Sequence, residues 1–369
     1  VKYYTASELI ESGKPPSFDD VLLVPRYTEV RSRLKPCTQT SLGSNLYIQT
    51  PIVSSPMDTV TDSTMAISIG SHGAMGIVHR FMPIEEQMGH IKSIIEYNQN
   101  APTGAGPAPV VAAIGVGDDE RDRFFKLHKE YGLHLTSVAI DVANGHSNYM
   151  REMIKWVKDI SNGDLHVIAG NVATGSGFAF LSESGADAVR VGIGGGSICK
   201  TRIMTGVGVP TLASVADAYA VKRKDIKLYN DTAIIADGGI RYPADLVKSL
   251  AAGADAIMAG RIFAGTVESP GEVVSINGES MKAYRGMASK EVQDDKRGGL
   301  RPGTCAEGVS TYIPLKGKAY YIIDEFCGGL RSAMTYLNAN NIDELKDNAL
   351  FMRLTASSLE ESHAFGTRK

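Results

Sequence analysis

Between residues 51 and 261 the chain repeats one pattern eight times: a short apolar run, a polar or glycine-rich stop, then a stretch with helical spacing. The runs are 52–55, 75–79, 110–116, 137–141, 166–170, 189–193, 234–237 and 256–259. Several are apolar throughout, as expected of strands covered on both faces. Between them, Pro83 suits a first helical position, and Ile84, Met88, Ile91 and Ile95 fall on one helical stripe. Segments 118–132 and 148–159 behave alike. Eight such alternations, with polar residues gathered where the strands end, predict an α/β fold, a (β/α)8 TIM barrel. The doubly wound sheet is the alternative. Its dinucleotide fingerprint is missing, because Gly115-Val-Gly117-Asp-Asp lacks the third glycine.

A chain of 369 residues buries roughly three quarters of its unfolded surface, and barrels of this size fold as one domain. One domain over 1–369, with an N-terminal extension, is therefore expected. About a hundred residues follow the eighth run, too many for one closing helix. Segment 281–317 mixes charges and glycines without clear periodicity and reads as a mobile active-site flap; 342–354 reads as a helical tail.

The net charge of −3 argues against nucleic acid or a membrane surface as the main partner. No apolar run reaches spanning length, and the start Val1-Lys-Tyr-Tyr lacks a secretory pattern. Cys37, Cys199, Cys305 and Cys327 are too scattered for zinc or a disulfide framework. A reduced, cytoplasmic protein is expected.

The loop after the sixth run reads Gly192-Ile-Gly-Gly-Gly-Ser-Ile-Cys199-Lys-Thr201-Arg202. Glycines let the backbone approach a ligand and turn its N–H and C=O groups inward. A thiol there is placed to attack a bound electrophile, as thiolate. A glycine-rich turn holding a buried cysteine is the plainer reading. After strand seven comes Asp237-Gly238-Gly239, and after strand eight Gly260-Arg261. In such barrels these loops commonly hold a phosphate. Ser197 can reach the same group, and Asp237 can accept from ribose hydroxyls, so a nucleoside monophosphate with its base over Cys199 is expected. Cys305 is a rival nucleophile in a loop with less glycine. Cys37 and Cys327 read as packing residues, and His79 and His146 as structural or substrate-adjacent rather than metal ligands.

Together with Phe18-Asp-Asp-Val-Leu-Leu, Ser54-Ser-Pro-Met-Asp-Thr-Val-Thr, Gly170-Asn-Val-Ala-Thr, Ala236-Asp-Gly-Gly-Ile and Gly328-Gly-Leu-Arg-Ser332, these motifs carry a resemblance. The chain resembles the IMP dehydrogenase/GMP reductase family over nearly its whole length. The resemblance implies a purine nucleotide, a nicotinamide cofactor, and Cys199 as covalent nucleophile at purine C2. Four features look like the reductase branch: the short 83–109 connection, Ile140-Asp141-Val-Ala-Asn-Gly145, the pairs Ser32-Arg33 and Thr335-Tyr336, and the flap from Met287 to Gly308 with Gly298-Gly299. Dehydrogenases of the family carry an Arg-Tyr pair on a longer flap, where the arginine activates water. No Arg-Tyr follows Met287 here.

The implied reaction is NADPH-dependent reductive deamination of GMP to IMP through a cysteine thioimidate. The alternatives are an IMP dehydrogenase without the regulatory domain, using NAD, and a non-catalytic nucleotide sensor. The resemblance gives Cys199, Thr201 and Glu307 the chemistry, the last two relaying protons. Ser197, Asp237, Gly238, Gly239, Gly260, Arg261, Gly286, Met287, Ala288 and Gly308 would bind the nucleotide. Ser32, Arg33, Arg80, Asp141, Val142, Ala143, Ile193, Gly194, Met287, Ser332 and Thr335 would bind the cofactor, some from a neighbouring subunit. Gly194, Gly196, Cys199 and Arg202, with Glu361, Ser362 and His363, match a potassium site across a subunit boundary, and a homotetramer is implied. Four positions depart from the reductase pattern: Lys200, Gly195, Ala288 and Thr304, the last where an arginine is usual, with Arg297 or Arg301 as candidate substitutes.

Overall fold

A computed structural model describes residues 2–102, 104, 106–229, 231–299 and 303–362, with the side chains of Lys296 and Arg297 left out. Among these residues, eight parallel strands follow the eight apolar runs. They are β1 (Ile52–Ser54), β2 (Met75–Gly76), β3 (Val111–Ile114) and β4 (Ser137–Asp141). Then come β5 (His166–Val172), β6 (Ala188–Val191), β7 (Ala233–Asp237) and β8 (Ala256–Ala259). Their order around the sheet is β2-β1-β8-β7-β6-β5-β4-β3. The ring closes where Val78, just past β2, bridges Ala112 on β3. Val78 N–H donates to the Val111 carbonyl at 2.9 Å, and Ala113 N–H donates to the Val78 carbonyl at 2.8 Å. This is the expected barrel.

Alternation along each strand separates two cores. Val53, Val111, Ala139, Ile168, Ala188, Ile235 and Met258 face the axis. Their neighbours Ile52, Ala112, Val138, Val167, Val189, Ile234 and Ile257 join the larger cluster under the helices. Those helices include α1 (Ser63–Gly70), α2 (Ile84–Asn100), α3 (Asp118–Tyr131), α4 (Asn148–Ile160), α5 (Gly175–Glu183), α6 (Thr211–Lys224), α7 (Pro243–Ala251) and α8 (Ala319–Tyr336). Pro83 caps α2 from outside, with ψ 151°, rather than occupying its first turn. The N-terminal end of the barrel is stoppered by a hairpin pairing Thr40–Ser41 with Tyr47–Ile48, whose Leu42 and Ile48 join the inner core. Burying such an aliphatic side chain contributes about 1.5–3 kcal/mol.

Two expectations need correction. Segment 281–317 is not structureless: strands β9 (Val274–Ile276), β10 (Glu279–Arg285) and β11 (Ser310–Pro314) form an antiparallel sheet, and a helix runs over Lys290–Arg297. The period-two burial of β10 is carried by Lys282 and Tyr284, whose polar tips hide their apolar bodies from a hydropathy reading. The tail is also only partly helical. Ile342–Asn348 is helix, but Phe351–Arg353 is a strand paired antiparallel with Val21–Leu23, which ties the two ends of the chain together.

Candidate active site

The C-terminal ends of the barrel strands and the flap enclose a cleft of about 550 Å³. Every residue expected from sequence to do chemistry or bind nucleotide lines it, including Cys199, Thr201, Glu307, Ser197, Asp237, Arg261, Met287 and Ala288. Among the expected cofactor residues, Arg80, Asp141, Val142, Ala143, Ile193 and Gly194 line the same cleft.

The glycine loop leaves β6 and reaches Cys199 just before a short helix over Thr201–Thr205. It packs on the turn after β7, where Gly238 has a positive φ of 96° and a side chain would meet Gly196 N at 3.0 Å. Only glycine suits that approach. The returning flap zips to the loop from the other side. Lys200 N–H donates to the Glu307 carbonyl at 2.7 Å, and Val309 N–H donates to the Ile198 carbonyl at 3.0 Å. Residues Cys199 and Gly308 thereby sit as a bridged pair.

That register aligns three side chains. The Cys199 thiol donates to Thr201 Oγ1 at 3.2 Å, and the Thr201 hydroxyl donates to Glu307 Oε2 at 2.8 Å. A line of thiol, hydroxyl and carboxylate can carry a proton away from sulfur and return it. Cys305 is exposed and Cys199 half-buried. Cys327 is buried and Cys37 exposed, so packing describes only the former.

At the end of the cleft expected from sequence to take a phosphate, Ser197 Oγ lies 3.2 Å from the Tyr284 hydroxyl, beside Gly260 and Arg261. Burial pushes the Tyr284 phenol up, with Ser197 and Arg261 opposing. Lys316, at the root of the flap, donates to the carbonyls of Arg261 and Ile262. Burial and then the Arg261 charge lower its ammonium to about 8.

On the opposite side, Arg80 pairs with Glu120 at 3.0 Å and donates to the Asp141 carbonyl at 3.3 Å. Its Nε is buried with no hydrogen-bond partner among the described residues. The apolar Val142, Ala143 and Ile193 beside Arg80 and Asp141 could hold a flat, polar-edged ring such as a nicotinamide.

Other expected residues lie elsewhere. Arg202 folds back between Gly194 and Gly208 and donates to the carbonyls of Ile193, at 3.5 Å, and Val209. Ser32, Arg33, Ser332 and Thr335 do not line the cleft. The segment carrying the first two is tied to the end of α8, with Arg26 N–H donating to the Tyr336 carbonyl and Cys37 N–H to the Asn340 carbonyl. Glu361 and Ser362 follow a short helix over Ala356–Glu360 and are exposed; His363 and Arg301 lie outside the described residues, as does the side chain of Arg297.

Sequence reading missed Arg190, Asn171, Tyr284 and Gln293, all in the cleft wall. A signal existed for the first: an arginine inside the otherwise apolar strand Ala188–Val191. His79 accepts from Phe81 N–H, and His146 packs on the Phe180 ring. No group of three or more His, Cys, Asp or Glu among the described residues could hold a metal ion. No described helix is long and apolar enough to cross a membrane.

Residues 16–365 match a family model described as IMP dehydrogenase / GMP reductase domain. An inosine-5'-monophosphate dehydrogenase of Borreliella burgdorferi is 36% identical over 398 residues, covering 94% of this chain and 96% of that protein. One from Cryptosporidium parvum is 36% identical over 392 residues, covering 95% of each. A cysteine-to-alanine variant of GMP reductase from Trypanosoma brucei, solved in complex with guanosine 5'-monophosphate, superposes with a TM-score of 0.86. It has 26% identity and covers 97% of this chain and 100% of that one.

Proposed function

The chain belongs to the IMP dehydrogenase/GMP reductase family, and on that premise we propose that it is a GMP reductase: GMP + NADPH + 2 H⁺ → IMP + NH₄⁺ + NADP⁺. The observation that carries this reading is the hydrogen-bonded line Cys199–Thr201–Glu307, returned to the thiol by a flap with no Arg-Tyr pair. Such a flap has the means to move a proton at sulfur but lacks the arginine expected to activate water.

Cys199 loses its proton through Thr201 to Glu307, and its sulfur bonds to purine C2. The C2–N bond breaks, and the same two residues hand the proton to the departing amine, which leaves as ammonia. Covalent attachment splits a hard substitution into two easier ones. Asp141, Val142 and Ala143 would hold the nicotinamide of NADPH, which when bound would supply the hydride that C2 takes up. The C–S bond then breaks, IMP is released, and the thiolate regains a proton along the same line. Ser197, Gly238, Gly239, Gly260 and Arg261 fix the phosphate, Asp237 the ribose, and Gly286, Met287, Ala288 and Gly308 the base.

A potassium ion on the carbonyls of Gly194, Gly196 and Cys199, completed by Glu361, Ser362 and His363 of a neighbouring copy, would stiffen the glycine loop. Ser32, Arg33, Ser332 and Thr335 would meet the cofactor of an adjacent subunit, in keeping with a homotetramer. Cysteines free in the described structure suit a reducing cytoplasm.

A second reading, IMP dehydrogenase, is favoured by the names of the 36%-identical relatives. Alignments under 400 residues cover about 95% of those proteins, so a short chain does not separate the two activities. Two assays do. GMP with NADPH should consume the cofactor and release ammonia, while IMP with NAD⁺ should give no NADH. The reverse pattern would overturn the proposal in favour of the dehydrogenase.

A further inference from the structure

Near its C-terminal end the barrel axis changes character. Below lie Ala139, Ile168, Ala188 and Ile235. One step further along the same strand faces are Asp141, Gly170, Arg190 and Asp237. Arg190 donates to Asp141 Oδ1 at 2.5 Å and to Asp237 Oδ2 at 2.9 Å. Its side chain is 7% exposed, and Asn171 Nδ2 adds a bond to the same Asp237 oxygen at 2.8 Å. Gly170 makes room for this arrangement, since a Cβ there would lie 2.5 Å from Arg190 Cβ. Burial works against the guanidinium charge, but the two carboxylates outweigh it and hold Arg190 above the ordinary arginine range.

We propose that Arg190 is a positioning residue shared by the two halves of the cleft, one buried cation fixing both the carboxylate that faces the nicotinamide and the one that faces the ribose. This inference rests on the family reading of those two halves. A buried guanidinium is tolerable only while paired, and removing it leaves two carboxylates facing each other across the axis without a counter-charge. Each would then turn toward water or another donor, and neither ligand would find its acceptor in place. The fork geometry of arginine suits two carboxylates at once, whereas a lysine ammonium is a point charge on a flexible stem.

The test uses the full chain, with GMP and NADP⁺ as separate probes in calorimetry and thermal melting as a fold control. Arg190→Gln should weaken both ligands at least tenfold. Asp141→Asn should weaken only NADP⁺, and Asp237→Asn only GMP. In the double variant R190Q/D237N, GMP affinity should fall little beyond D237N alone, because both changes remove one arrangement. A merely structural arginine would give additive losses. If R190Q does not melt cooperatively, Arg190→Lys replaces it in the same cycle, with a smaller loss for both probes. Additive losses, or R190Q binding both probes within twofold of wild type, would overturn the proposal alone. Wild-type protein that binds neither probe would overturn the proposed reductase function and this inference together.

Discussion

At the level of single residues, the proposed function divides the cleft into groups that would react and groups that would hold. Cys199→Ala removes the attacking atom and should abolish turnover while leaving GMP affinity, measured by calorimetry, within a few fold; undiminished turnover would assign the chemistry elsewhere. Glu307→Gln keeps the shape of the acceptor but not its basicity, and its kcat should fall by roughly 10²–10⁴, the usual worth of a positioned acid–base group. Lys316, which lies outside the cleft lining and braces the backbone of Arg261 and Ile262, makes a distinct prediction. Its ammonium is lowered to about 8 by burial and by Arg261. On the proposed function, a phosphate dianion arriving at Arg261 would favour the charged form and raise that value. Near pH 8, then, nucleotide binding should take up protons, and affinity should decline as pH rises through this range. Calorimetry in buffers of different ionisation enthalpy reads the uptake directly, and Lys316→Met should remove it.

At the level of elements, the flap is held by charge as well as by its strands. Arg285, at the end of β10, pairs with Asp58 after β1 at 2.7 Å and with Asp295 on the flap helix at 2.6 Å. The Asp58 side is buried and the Asp295 side is half-exposed. An exposed pair contributes about 0–1 kcal/mol, so Asp295→Asn should leave the melting temperature nearly unchanged. It should still loosen the helix that presents Gln293 to the cleft, exposing the flap to limited proteolysis. Arg285→Met strands Asp58 as well and should lower the melting temperature by several degrees. These elements also show where sequence reading stops. Runs such as 137–141 and 256–259 match their strands to the residue because burial on both faces leaves an apolar centre, which in the first is bounded by Ser137 and Asp141. The flap strand β10 escaped, since its buried positions are Lys282 and Tyr284. Arg190 escaped for a related reason: its charge is satisfied by carboxylates 49 and 47 positions away in sequence, which only the closed barrel brings together.

For the whole molecule, the two ends of the barrel are suited to separate duties, as barrels of this kind allow. The C-terminal end holds the cleft. At the N-terminal end Asp255 accepts from Lys346, Lys222 and Ile234 N–H, while its carbonyl accepts from the Thr40 hydroxyl of the hairpin stopper. Burial alone would raise the Asp255 carboxyl, but Lys346 and then Lys222 outweigh it and hold it below the ordinary aspartate range. In the unfolded chain this group takes up a proton at higher pH than in the fold. Its contribution to stability is therefore complete above the ordinary aspartate range and is lost as pH falls through the lowered folded value. Asp255→Asn leaves the buried Lys346 only the exposed Asp343, 3.9 Å away, and removing one partner of a buried pair costs about 3–5 kcal/mol. Its melting temperature should drop sharply at neutral pH, and the acid-dependent part of the wild-type decline should be reduced. Because Asp255 lies at the far end of the strands from Cys199, kcat measured well below the lowered melting temperature should stay within about twofold of wild type, a factor worth roughly 0.4 kcal/mol in barrier height. A large fall in kcat at that temperature would mean that the stopper and the cleft are coupled through the barrel wall, and the separation of the two ends would not hold.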